Sequence, residues 1–99
     1  MLRLFRIRGH SLEPEYQPGD FVLASKIPFL FHPPKSGNVI IFNHPEIGLL
    51  IKHIETFDPD TGQVIVLGTH PYSVDSRQFG PILKHQILGK VLWHIHPKR

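Results

Sequence analysis

The sequence predicts a small all-β domain, a partly closed antiparallel sheet or barrel, and three observations carry that expectation. Short apolar runs of four to nine residues alternate with turn clusters along the whole chain. Ten Pro and eight Gly punctuate it too often for long helices. No window shows a sustained 3.6-residue apolar period, and the best attempt, Pro81 to Leu88, suits one or two helical turns at most. At 99 residues, 40% apolar and with seven Phe, the chain can bury one real core, so residues 1–99 are read as a single domain.

Taken in order, the strand candidates are Phe5–Arg8, Phe21–Ile27, Val39–Phe42, Leu49–Phe57, Gln63–Gly68 and Ile87–His94. The first is followed by Glu13 to Asp20, which holds two Pro and a Gly and must turn. In the second, Phe21, Leu23 and Ile27 are expected to face the core. Pro28 then turns the chain out at Phe29-Leu30-Phe31, an apolar patch open either to the core or to a membrane surface or partner. Pro33 to Asn38 fixes and then releases φ before the third strand, and Asp58-Pro59-Asp60-Thr61-Gly62 suits a hairpin between the fourth and fifth. Adjacent strands are therefore expected to run antiparallel.

Composition excludes several function classes. The formal charge is +3, and the basic residues are scattered except for Arg3, Arg6, Arg8 and the pair Lys98, Arg99, too weak a pattern for nucleic acid. There is no Cys, so neither disulfides nor thiol chemistry are available. The N-terminal residues lack the apolar stretch of a secretory signal. The most apolar segment, Phe21 to Phe31, spans eleven residues with Lys26 and Pro28 inside it, against the ~20 that cross a bilayer. No transmembrane segment is expected, and a cytoplasmic location fits.

Three places could carry chemistry. In Leu49-Leu50-Ile51-Lys52-His53-Ile54-Glu55 a period of two puts Leu50, Lys52 and Ile54 on one face. An ammonium flanked by apolar neighbours is partly desolvated, which lowers its pKa and makes the neutral amine available as a base. The alternative is an edge strand from which Lys52 snorkels to water, and the strand pattern alone favours it. The second place is Gly9-His10-Ser11-Leu12-Glu13-Pro14, which sets a serine in a turn, with a glycine two residues earlier that permits close backbone approach by a ligand. Serines in turns are common, and most bond only their own backbone. The third is Gly68 to Pro81, where Asp75 and Arg77 are spaced to pair and order a loop.

Together and in this order, the three places resemble the signal peptidase family of Ser–Lys proteases. That family carries a nucleophile turn Gly-x-Ser-Met-x-Pro followed by Gly-Asp, a strand with Lys-Arg, then Gly-Asp-Asn and Ser-x-Asp-Ser-Arg before Phe-Gly. Within it, Leu49-Leu50-Ile51-Lys52-His53 and Asp75-Ser76-Arg77-Gln78-Phe79-Gly80-Pro81 look most like the branch of nickel-type superoxide dismutase maturation proteases. The resemblance implies the fold of the signal peptidase catalytic core, with Ser11 as nucleophile, Lys52 as general base, Ser73 as a hydroxyl that orients the lysine, and Asp75 with Arg77 as a structural pair. It implies an oxyanion held by the Ser11 N–H; the hydroxyl that some relatives add at the position of Gly9 is absent here. Leu12 stands for the usual Met, Lys52-His53 for Lys-Arg and Gly68-Thr69-His70 for Gly-Asp-Asn. The implied substrate is a precursor protein bound as an extended peptide, with no metal and no organic cofactor.

Other readings compete. A self-cleaving repressor shares the Ser–Lys domain but needs a cleavable segment and a DNA-binding part before the serine, and only ten residues precede Ser11. A peptide-binding module without catalysis is a further class, against which the presence of both dyad residues speaks. Eight histidines invite a metal, above all His94-Ile95-His96, whose imidazoles share one strand face, but two ligands do not make a site.

Overall fold

The computed structural model describes residues 2–8, 15–69 and 73–97. It is built on one antiparallel sheet of seven strands: β1 (Leu2–Arg6), β2 (Phe21–Ser25), β3 (Val39–His44), β4 (Gly48–Phe57), β5 (Gln63–Leu67), β6 (Ile82–Leu83) and β7 (Ile87–Ile95). Two four-residue helical turns, α1 (Pro28–Phe31) and α2 (Ser76–Phe79), interrupt the connections. The spatial order is β1-β2-β7-β3-β4-β5-β6. The all-β antiparallel expectation is met. The sheet is open, since no pairing among the described residues joins β1 to β6.

The first strand begins earlier than its apolar run suggested, because Leu2 to Arg6 pair residue by residue with Ser25 to Phe21. Pro81 to Leu88 splits into the short strand β6, a 3-10 turn at 84–86 and the start of β7, as its mixed signal allowed. At 58–62 the chain turns tightly, with the Gly62 N–H donating to the Asp58 carbonyl at 2.8 Å and the Asp58 N–H to the Gln63 carbonyl at 2.9 Å. Gly62 has φ +77°, a conformation that a Cβ would strain.

Apolar side chains pack on both faces of the central strands. Ile7, Tyr16, Val22, Ala24, Ile41 and Ile51 form one buried cluster, and Ile40, Phe42, Ile54, Val64, Val66, Ile82 and Ile87 form the other. Ile40 and Ile41 are adjacent in sequence and fall in opposite clusters, as the pleat of a strand covered on both sides requires. Gly89 belongs to this packing: a Cβ there would lie 2.9 Å from the Ser25 nitrogen and 3.1 Å from the Ala24 Cβ, where β7 runs close against β2.

The facing of β2 corrects the expectation. Val22 and Ala24 are buried, whereas Phe21 and Leu23 are only half-buried and Ile27 is 48% exposed. Leu23 pairs with Leu4 on one side and Trp93 on the other, on the outer face of the sheet. With apolar residues on both faces, the larger Phe and Leu gave no sign of which face turned inward. Phe29 packs against the second cluster, and Leu30 and Phe31 stand 77% and 76% exposed.

Candidate active site

Lys52 lies in β4, opposite Ile40 of β3 and two residues before the buried Ile54. The order of the sheet puts β4 between β3 and β5, so no edge is available for the side chain to leave by. Lys52 is accordingly 1% exposed, on the same face as the second apolar cluster. This removes the snorkelling alternative. Burial lowers the pKa of the amine from its ordinary value; the Asp75 carboxylate opposes that shift and the Arg77 guanidinium adds to it.

Asp75 reaches the same region through β5. The register His53↔Leu67, continued by one residue, sets Gly68 across from Lys52. The Gly68 N–H donates to Asp75 Oδ2 at 2.9 Å. The same oxygen accepts from Arg77 Nη2 at 2.8 Å, and Oδ1 accepts from the Arg77 backbone N–H and from Arg77 Nε, both at 3.0 Å. Burial of this fully enclosed carboxylate pushes its pKa up, but the bonds from Arg77 and Gly68 outweigh that and hold it at about 2. Asp75 also caps α2: its own N–H donates to Gln78 Oε1 at 2.9 Å, completing a reciprocal capping box. The Val66 N–H donates to Ser76 Oγ at 2.8 Å and ties the helix to β5.

The expected Asp75–Arg77 pair is therefore present, with a buried acid and a half-exposed base. Ser73 is buried at 8% exposure, and its hydroxyl lies 3.4 Å from Asp75 Oδ2, a long contact with the carboxylate that also acts on Lys52. Ser11 and Gly9 lie outside the described residues. The ends of their segment are described: the Ile7 N–H donates to the Asp20 carbonyl at 2.7 Å and the Gly19 N–H to the Ile7 carbonyl at 2.9 Å, joining those ends.

A groove of about 500 Å³ runs between Leu4–Arg8 and Leu49–Ile51, with Ile41 among its lining residues. Ile7, Ile41 and Ile51 of its lining belong to the first cluster, so the groove lies on the sheet face opposite that of Lys52, and Arg8 at its end stands three residues before Ser11 in sequence. The sequence pattern shows neither this groove nor the contact that Asp20, named there only as part of Pro18-Gly19-Asp20, makes through its fully buried side chain with His94 and His96 on β7 and just beyond it. The capping box did leave a signal, an Asp three residues before a Gln, which the charge pair at 75 and 77 overshadowed.

The profile of the family described as signal peptidase, peptidase S26, matches residues 1–61, a span that includes Ser11 and Lys52 and stops before Ser73, Asp75 and Arg77. A Synechocystis sp. protein named Probable signal peptidase I-1 is 37% identical over 41 residues, covering 41% of this chain and 21% of that protein.

Proposed function

The chain belongs to the signal peptidase, peptidase S26 family, and from that premise we propose that it is a serine endopeptidase in which Ser11 attacks the substrate carbonyl and Lys52 is the general base. The observation that supports this reading best is the burial of Lys52. A lysine sealed in an apolar strand face destabilises its own charged form, and such an arrangement suits a base that has to be neutral near physiological pH.

In this mechanism the neutral Lys52 amine takes the Ser11 hydroxyl proton as the oxygen adds to the peptide carbonyl. It then returns the proton to the leaving amine, and water hydrolyses the resulting acyl-enzyme with the lysine again as base. The Ser11 N–H holds the oxyanion. Ser73 orients the lysine, and Asp75, fixed by Arg77 and Gly68, holds Ser73 and tunes the amine. The substrate binds extended, as an added strand beside the catalytic residues, where main-chain bonds hold it and shallow pockets select side chains.

The precursor we propose is a nickel-type superoxide dismutase carrying a short N-terminal extension, processed in the cytoplasm. A second reading, a general signal peptidase-like enzyme working at a membrane, is favoured by the exposed Leu30 and Phe31. In that reading the patch touches the membrane surface; no helix among the described residues is long and apolar enough to cross a bilayer. Incubating the protein with the dismutase precursor and with a signal-peptide-bearing preprotein, read by intact mass, separates the readings. A single cut in the dismutase precursor, abolished by Ser11→Ala, supports maturation; cleavage of the preprotein alone supports the second reading, and cleavage of neither overturns both.

A further inference from the structure

On the opposite side of the sheet centre from Lys52, three side chains that the peptidase mechanism does not use converge on one point. Asp20, directly before β2, is fully buried. His94 Nε2 lies 2.7 Å from its Oδ2 and His96 Nδ1 lies 3.2 Å from the same oxygen. All three potential ligand atoms fall within 4.8 Å of one another. We propose that Asp20, His94 and His96 form a binding site for a divalent transition-metal ion of the zinc class.

The donor set is the first argument. Two imidazoles and a carboxylate are the ligands that zinc-class ions favour over the all-oxygen shells of magnesium and calcium. Zinc bonds of about 2.0–2.1 Å in tetrahedral geometry put ligand atoms about 3.3 Å apart. The His96 contact at 3.2 Å already has that separation, and the 2.7 Å His94 contact needs to open by about half an ångström.

Rigidity is the second argument. Val22 pairs with His94 across β2 and β7, so the backbone that carries the imidazole is fixed by the ladder. The His94 ring is stacked on Tyr16, with centroids 4.2 Å apart and planes 17° from parallel. The Gln17 N–H donates at 3.0 Å to Asp20 Oδ2, the oxygen that both imidazoles approach, and fixes the carboxylate in place, as outer partners of metal ligands commonly do. His96 is 56% exposed, which gives an ion a path in and leaves the fourth position to water.

Two histidines two apart on a strand end are a pair without a third ligand, and the fold supplies the third from 74 residues away. Asp20 is also the residue whose carbonyl accepts from the Ile7 N–H and so closes the base of the segment that contains Ser11. An ion here would cross-link the end of β7 to that base. The proposal stands on these residues alone and does not depend on the peptidase reading.

The test is calorimetric titration of the chelator-treated full chain with Zn²⁺, beside His96→Ala. His96 is the exposed ligand, so its truncation leaves the core intact, and melting of both proteins without metal verifies this. The expected result is one equivalent bound by wild type, a raised melting temperature with Zn²⁺, and affinity in His96→Ala weakened beyond the ~10–100-fold that loss of an outer partner costs. Co²⁺ should give wild type an intense visible d–d spectrum that His96→Ala lacks. Equal Zn²⁺ affinity in the two proteins would assign binding to other histidines and overturn the proposal, as would no binding by wild type at millimolar Zn²⁺.

Discussion

Replacing Asp75 by Asn keeps the side-chain volume and one acceptor oxygen while removing the charge on which Arg77 closes. The carboxylate titrates at about 2 in the folded chain against an ordinary 3.8. That displacement corresponds to about 2 kcal/mol of stability. Because Arg77 is 54% exposed, water and salt screen its side of the pair and make the figure an upper one. The sign follows from the depressed folded pKa: the contribution is complete above pH 3.8 and is lost as pH falls through about 2. Urea unfolding followed by circular dichroism should therefore show Asp75→Asn less stable than wild type by up to about 2 kcal/mol at pH 7, with the gap closing toward pH 2. Asp75→Ala should cost more, about 3–5 kcal/mol, since it also strips the α2 cap and leaves the Gly68 N–H without its acceptor. A gap between Asn and wild type that stays constant from pH 7 to pH 2 would refute the electrostatic origin. No gap at pH 7 would refute the pair's contribution altogether.

The same two residues act on Lys52 with opposite signs, so the pH–rate profile should move in opposite directions. Asp75→Asn removes what raises the lysine pKa and should shift the rising limb to lower pH, whereas Arg77→Ala removes a lowering influence and should shift it higher; shifts of the same sign would contradict the assignment. Lys52→Met replaces a buried amine with an apolar chain of similar volume and should abolish cleavage while leaving stability unchanged or raised by up to ~2 kcal/mol. Loss of stability with retained cleavage would mean that the lysine serves the fold.

The parts of this molecule legible in the sequence are those written in local pattern. β4 was visible because Leu49 to Phe57 is long and bounded by turn residues, and the hairpin at 58–62 because Pro, Asp and Gly sit where a tight turn needs them. The burial of Lys52 was not visible. Its period-two neighbours fit an edge strand and a central one equally, and only the pairing of β4 with both β3 and β5 decides between them. The contact of Asp20 was not legible for a related reason: its partners His94 and His96 are joined to it by the pairing of β2 with β7, and no local spacing records that contact. The Asp75–Arg77 contact was legible because the opposite charges stand two positions apart in a turn-rich segment. Its depth was not, since the Gly68 bond and the capping box depend on where β5 ends.

Activation of Ser11 by a buried, neutral Lys52 is read most directly from the rate of precursor cleavage from pH 5 to pH 10 by wild type and by Lys52→Ala. Wild-type kcat/KM should rise with pH to a plateau, through a midpoint below the ordinary lysine value of 10.5, and Lys52→Ala should be slower by roughly 10⁴-fold or more across the range. A wild-type rate that stays unchanged down to pH 5, or wild-type turnover by Lys52→Ala, would contradict it.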